Sequence, residues 1–283
     1  MVAWPDALIR EIADRRALIF IGAGISKNAS PAMPTWPKLL GDLSLKLVKS
    51  SDKRLVGKLI NQNRLLDAAQ IITDGIGRAD LNAALRAVFQ VRPIPHSDIY
   101  KDILRLDLKT IVTTNYDEFL ERNFDHHSGG NAAYDVCKYT SGDLLSLVRS
   151  PQRIIAKIHG CITEPNDLVL DRMSYFKAKQ RYHGFFSVMS AIFTTHTVLF
   201  LGYSLGDPDL QIILENTHAI SESTHGHYAL LPKIEHRSMV KAIKQSYNIS
   251  CIEYPAGNHA VVAECMSELE SAVAADRAGR GVA

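Results

Sequence analysis

"IFIGAGISKNASPAMPTW", residues 19–36, decides the fold. The run that leads into it, Ala17–Gly22 (ALIFIG), is apolar and rich in β-branched residues, and it stops at Gly22. A small, polar loop punctuated by proline follows. A continuous apolar run of this length suits a strand covered on both faces. A Gly-Ala-Gly turn directly after such a strand lets the backbone come close to a phosphate group, because glycine has no Cβ to collide. Gly22, Ala23, Gly24 and Ser26 fit that need. The motif is not a full G-x-G-x-x-G, since Lys27 stands three residues after Gly24. On its own it reads equally as an ordinary tight turn.

Five further runs repeat the strand pattern: Thr110–Thr114, Arg153–His159, Thr197–Gly202, His227–Leu231 and Ile249–Tyr254. Helical patterns lie between them. Residues 209–220 carry Leu210, Ile213 and Leu214 at helical spacing behind an Asp207-Pro208 start signal. Residues 235–246 and 259–274 continue the alternation. Strands alternating with helices predict an α/β fold, a doubly wound, mostly parallel, Rossmann-like sheet. Residues 36–108 break the rhythm. They hold Leu39, Leu40, Leu43 and Leu47, then Leu65, Leu66, Ala69 and Ile72, then Leu81, Leu85 and Val88 at helical spacing. This predicts a helical insertion between the first and second strands. The expected organisation is residues 1–35 and 109–275 as the sheet domain, 36–108 as the insertion lobe, and 276–283 as a flexible tail. Lys46, Lys49, Lys53, Arg54 and Lys58 in the insertion read as a solvated helix face, with a docking surface as the alternative.

Composition sets the outer bounds. A chain of 283 residues with 46% hydrophobic residues can bury a large core. A formal net charge of +2 does not point to a nucleic acid or membrane partner. Cys137, Cys161, Cys251 and Cys265 form no CxxC pair, so no zinc ribbon or thioredoxin motif is expected. The first residues carry Pro5, Asp6, Glu11 and Asp14 and do not resemble a signal peptide. No apolar run reaches the ~18 residues of a membrane span. A cytoplasmic location is expected. His225 and His227 lack further ligands at useful spacing and read as surface or strand-start histidines.

Three more strand ends carry polar residues. TTNYDEFLE puts Asn115 and Asp117 after the second run. KIHG ends the third with His159. FLGYSLGDPDLQIIL follows the fourth with Gly202, Ser204 and Asp207. In open α/β sheets ligands bind outside the carboxyl ends of the strands. Taken singly, Asn115 could be a turn residue, Asp117 and Asp207 helix caps, and His159 a core histidine. Together they predict one crevice.

The set GAGIS, PxW (Pro34 to Trp36), TTNYD, KIHG and GYSLGDPDL resembles the sirtuin-like NAD-hydrolysing domains of bacterial antiviral defence proteins. The resemblance runs from about Ala7 to Ser267. It implies that Gly22, Ala23, Gly24 and Ser26 bind the NAD pyrophosphate and adjacent ribose, with Thr114, Gly202, Ser204 and Asp207 also on the dinucleotide. It implies catalytic roles for Asn115, His159 and Asp117. Two departures favour a hydrolase over a protein deacylase. The zinc module with its CxxC pairs is missing after His159, where Cys161 stands alone, so no zinc is expected. The Arg that deacylases carry after the cofactor loop is replaced by Thr35-Trp36-Pro37. Trp36 could shield the ribose or pack the insertion.

The implied reaction is NAD+ hydrolysis to ADP-ribose and nicotinamide. NAD+ serves as substrate, and the enzyme would be an NAD-depleting antiviral effector. The resemblance also implies a homo-oligomer and an ATPase or nucleic-acid-sensing partner subunit, with no membrane partner. The chain could stand alone or be part of a longer one. A non-hydrolytic NAD or ADP-ribose sensor and an NAD-dependent deacylase or ADP-ribosyltransferase remain open as alternatives.

Overall fold

Strand β1 (Ala17–Ile21) is buried along its whole length, and its side chains alternate between two cores. Ala17, Ile19 and Ile21 join one cluster; Leu18 and Phe20 join the other. The continuous apolar run is thus a period-2 strand with both faces covered. The computed structural model describes residues 2–130, 134–203, 214 and 226–282.

Six more strands follow: β2 (Thr110–Thr113), β3 (Asp135–Lys138), β4 (Ile154–Lys157), β5 (Thr197–Leu201), β6 (His227–Pro232) and β7 (Ile249–Tyr254). They form one seven-stranded sheet in the order β3-β4-β2-β1-β5-β6-β7, parallel at every pairing. The chain leaves β1 toward β2 on one side and later returns to place β5 on the other. The β1/β5 boundary is therefore the point where winding reverses, the usual place for a crevice in such sheets.

Strand β3 escapes the sequence reading. Its Asp135-Val136-Cys137-Lys138 has no apolar run, because an edge strand has a neighbour on one side only and here buries just Cys137 fully. The predicted helix at residues 209–220 and its Asp207-Pro208 start lie outside the described residues, apart from Leu214.

Helix α1 (Asp6–Ala13) precedes β1, and α2 (Ala23–Ala29) follows it directly. Between α2 and β2 lie α3 (Trp36–Ser44), α4 (Ser50–Asn61), α5 (Leu65–Gly75), α6 (Arg78–Phe89) and α7 (Asp98–Arg105). These five helices have no core of their own. Leu39, Leu43, Val56, Ile72, Leu85 and Ile103 belong to the same cluster as Ile19 and Ile111 of the sheet. Lys46, Lys49, Arg54 and Lys58 are exposed, as a solvated face requires. The opposite sheet face is covered by α9 (Leu144–Arg149), α10 (Arg172–Arg181) and α11 (His183–Thr195), through residues such as Leu144, Tyr175, Phe185 and Phe193. Helices α8 (Phe119–His127), α12 (Arg237–Tyr247) and α13 (Val261–Arg280) are the remaining α-helices whose bounds fall among the described residues.

The sequence reading sets residues 276–283 aside as a tail, but α13 continues through them to Arg280. Arg277 donates to the carbonyls of Ala13, Ile12 and Leu106. Arg280 bridges Asp14 and Asp276. These contacts hold the last turns against α1.

Candidate functional site

The parallel register brings distant residues to one edge. Ile21 of β1 lies opposite Thr113 of β2 and Leu201 of β5, and Thr113 lies opposite Lys157 of β4. The next residues along each strand are Gly22, Thr114, Gly202 and Ile158. The ends of β1, β2, β4 and β5 therefore lie at the same carboxyl edge, at and beside the winding reversal.

Two loops interlock there. The Gly22 N–H donates to the Leu201 carbonyl at 2.9 Å, and the Gly24 N–H to the Gly202 carbonyl at 2.9 Å. A Cβ on Gly22 would stand 2.6 Å from Gly202 O, and one on Gly24 2.8 Å from Gly202 Cα. Gly202 itself has φ +61°, and its Cβ would meet Ile25 N at 2.5 Å. The glycines thus let backbone approach backbone across the β1/β5 boundary. This close packing is by itself a reason for glycine at these positions. Ala23 and Gly24 are exposed in the first turn of α2, whereas Gly22 and Ser26 are buried.

Asn115 is half-buried and held from three directions. Its main-chain N–H donates to Thr113 Oγ1 at 3.0 Å, whose hydroxyl donates to Ile21 O at 2.8 Å. Its side-chain Nδ2 donates to Gly22 O at 3.1 Å and to Ser26 Oγ at 3.0 Å. Both amide protons are committed to the β1 loop, and Oδ1 has no hydrogen-bond partner among the described residues. Asn115 is left with an acceptor to offer.

Asp117 lies beneath this layer at 4% exposure. Its Oδ2 accepts from Ser26 Oγ at 2.9 Å, and its Oδ1 from the Phe119 N–H at 3.0 Å. Burial pushes its carboxyl up from the usual range, against the opposing pull of the Lys157 charge and these hydrogen bonds. With both oxygens taken, Asp117 acts on Ser26 and the turn rather than at the surface. Tyr100 of α7 is buried beside the same Ser26, and its phenol is pushed well up by burial and by the Asp117 charge.

His159 is half-buried two residues beyond β4, and its carbonyl accepts from the Val169 N–H at 3.1 Å. The glycine of KIHG has a backbone reason. Gly160 sits at φ +84°, and a Cβ there would come within 2.7 Å of Asp167 O. The β4 and β2 loops are sewn together by Ile162 N–H to Tyr116 O at 2.8 Å and by the Tyr116 hydroxyl to Val169 O at 2.6 Å.

Thr114 is half-buried at the end of β2. Ser204 and Asp207 lie outside the described residues. Trp36 is the first residue of α3 and packs, half-buried, against the core shared by the insertion and the sheet. His227 Nδ1 accepts from the Val198 N–H at 3.2 Å, and His225 lies outside the described residues. No group of three metal-ligating side chains is present among the described residues, and no described helix is long and apolar enough to cross a membrane.

Three contributors escaped the sequence reading: Thr113, Lys157 and Glu121. Lys157 carried a signal, being a charge within the apolar run RIIAKIH. Thr113 and Glu121 carried none that sets them apart from a strand threonine and a helix-surface glutamate.

The chain is similar in sequence to several known proteins. An NAD(+) hydrolase ThsA of Acinetobacter baumannii is 26% identical over 246 residues, covering 86% of this chain and 48% of that protein. The ThsA of Bacillus cereus is 28% identical, covering 81% of this chain and 45% of that protein. Defense-associated sirtuin 2 of Bacillus subtilis is 27% identical, covering 73% of this chain and 20% of that protein. The chain thus spans about half, or less, of the length of these relatives. The model of the SIR2-like domain matches residues 109–252, just over half of the chain and the stretch that runs from β2 into β7. The chain belongs to the SIR2-like domain family.

Proposed function

We propose that this chain hydrolyses NAD+ to ADP-ribose and nicotinamide, as an NAD-depleting effector of bacterial antiviral defence. The observation that carries the reading is Asn115. Its amide protons are tied to Gly22 O and Ser26 Oγ, so that Oδ1 is the group it offers at the edge shared with His159. The names of the relatives support the same substrate and setting. Residues 1–35 and 109–275 would form the dinucleotide-binding unit, with 36–108 inserted. Ala23, Gly24, Thr114 and Gly202 would lie along the dinucleotide, joined by Ser204 and Asp207. Gly22 and Ser26 would support it from below.

The nicotinamide of NAD+ is already cationic. The C–N bond breaks with its electron pair going to the ring nitrogen, and no acid is needed. Positive charge builds on the ribose, as in glycoside cleavage generally. Water supplies the new C–O bond and gives up one proton. His159 would take that proton, and Asn115 Oδ1 would hold a ribose hydroxyl or the attacking water. Asp117, through Ser26, would keep Asn115 in place. The reaction requires no zinc. Control would come from assembly in the cytoplasm, as a homo-oligomer or with an ATPase or nucleic-acid-sensing subunit.

The test is incubation of the full chain with NAD+ and separation of the products, across protein concentrations and with and without candidate nucleic acids. Asn115→Ala and His159→Ala should each lower turnover by ~100-fold or more, within the range expected for loss of a general base or its partner. Melting curves check that both variants fold. Wild-type turnover in either folded variant removes that residue from the mechanism. Saturable binding without products would mean a sensor or an enzyme still inhibited, and products only with an acylated peptide would favour a deacylase.

A further inference from the structure

Asn115 and His159 follow different strands, β2 and β4, and a shared reaction needs them held in fixed relation. A buried lysine ties the two segments together. Lys157 is the last residue of β4 and has no exposed surface. Its Nζ donates to the main-chain carbonyl of Asp117 at 2.5 Å and to Glu121 Oε1 at 2.8 Å. Burial alone would lower the ammonium's pKa, but the neighbouring Glu121 and Asp117 carboxylates outweigh it and raise it. The carbonyl it holds lies two residues after Asn115, and its own main chain leads in two residues to His159. A buried ion pair is weak evidence of a stability role, because apolar residues of similar volume commonly replace such pairs at no loss. Hydrophobic neighbours could fill this space but could not hold a carbonyl.

We infer that Lys157, paired with Glu121, is a positioning residue: its ammonium pins the Asp117 carbonyl and so fixes the turn presenting Asn115 against the strand end carrying His159. The kinetic consequence rests on the NAD+-cleaving reading; the geometric one does not.

Lys157→Met alone would strand the Glu121 carboxylate in the interior. The decisive variant is therefore Lys157→Met/Glu121→Leu, which removes both charges at similar volume. Three quantities are measured on the full chain: the melting temperature, kcat and KM for NAD+, and hydrogen exchange of individual amides. The variant should still fold cooperatively, with a melting temperature lowered by the unpaired Asp117 carbonyl. Its kcat should fall by ~100-fold with KM changed by less than ~3-fold, as misplacement of reacting groups predicts. The Phe119 and Ile162 amides, which tie down this turn, should exchange ~10-fold faster or more, in the manner of a locally loosened segment. The Gly22 and Gly24 amides should not change.

Glu121→Gln keeps the volume and an acceptor for Lys157. It serves as the second variant should the double one fail to fold, with kcat reduced ~5-fold and the same two amides exchanging faster. Wild-type kcat and wild-type exchange in whichever variant folds would overturn the inference. If wild type leaves NAD+ intact at every protein concentration and with every nucleic acid tested, the hydrolase reading falls and the exchange rates alone decide the positioning role.

Discussion

Gly22→Ala tests the junction on which the site is built. Gly22 has φ −106° and ψ 179°, extended backbone that alanine adopts freely. Any penalty is therefore steric. The new methyl would lie 2.6 Å from Gly202 O and 2.8 Å from Tyr203 Cδ2. Ordinary contact begins at 3.4 Å, so the loops must part by about 0.8 Å. The Gly22 N–H to Leu201 O bond, now 2.9 Å, would stretch to about 3.7 Å, beyond hydrogen-bonding distance. Overpacking costs about 1–3 kcal/mol and the lost hydrogen bond about 1 kcal/mol, for a total of about 2–4 kcal/mol. The displacement reaches Asn115, whose Nδ2 holds Gly22 O at 3.1 Å. A shift near 1 Å in a reacting group costs ~100-fold in rate. Urea denaturation and NAD+ turnover read the two effects separately. Gly41→Ala is the control. It lies within α3, a Cβ there meets nothing within 4 Å, and it should stabilise by about 0.5–1 kcal/mol. An unchanged urea midpoint in Gly22→Ala, or an equal loss in Gly41→Ala, would refute the steric argument.

Ser26→Ala removes the hydroxyl shared by Asn115 and buried Asp117. It should cost about 1–3 kcal/mol in urea denaturation, with turnover falling in parallel. His196, half-buried at the end of α11, is held below the ordinary imidazole range, first by burial and also by the Lys109 charge, against the Ile192 carbonyl and Glu11. A lowered folded value favours the native state above the unfolded pKa of about 6.5, and that gain is lost as pH falls further. His196→Gln should therefore flatten the loss of melting temperature between about pH 7 and 5; equal slopes would contradict this. Arg277→Met removes donors to the carbonyls of Ala13, Ile12 and Leu106. It should cost about 2–3 kcal/mol and leave the end of α13 open to proteolysis, which limited trypsin digestion would detect.

The legible part of the fold is the part that sequence dictates locally. Both faces of β1, β2, β4 and β5 are covered, so their apolar runs are continuous and each strand declares itself. Strand β3 does not, because Asp135 and Val136 are exposed at the sheet edge and only Cys137 needs to be apolar. The insertion's helices were legible from their spacing. That they share the sheet's core was not, since periodicity marks an apolar face without naming what covers it.

The site divides along the same line. Gly22, Asn115, Asp117 and His159 could be picked out because each follows a recognisable strand, and a parallel sheet carries all such ends to one edge. What each does there depends on depth, which no spacing encodes. Asp117 is two residues from Asn115, yet it is buried and spends both oxygens on Ser26 and Phe119, while Asn115 keeps Oδ1 to offer. Lys157 makes the converse point. A lysine inside an apolar strand is costly unless paired, so RIIAKIH announced that partners must exist without saying where. They turned out to be a carbonyl and a carboxylate on the turn beside Asn115. The charge that looked out of place in the strand is thus the one that joins the two halves of the site, and this is why replacing it should disturb the turn before it disturbs the fold.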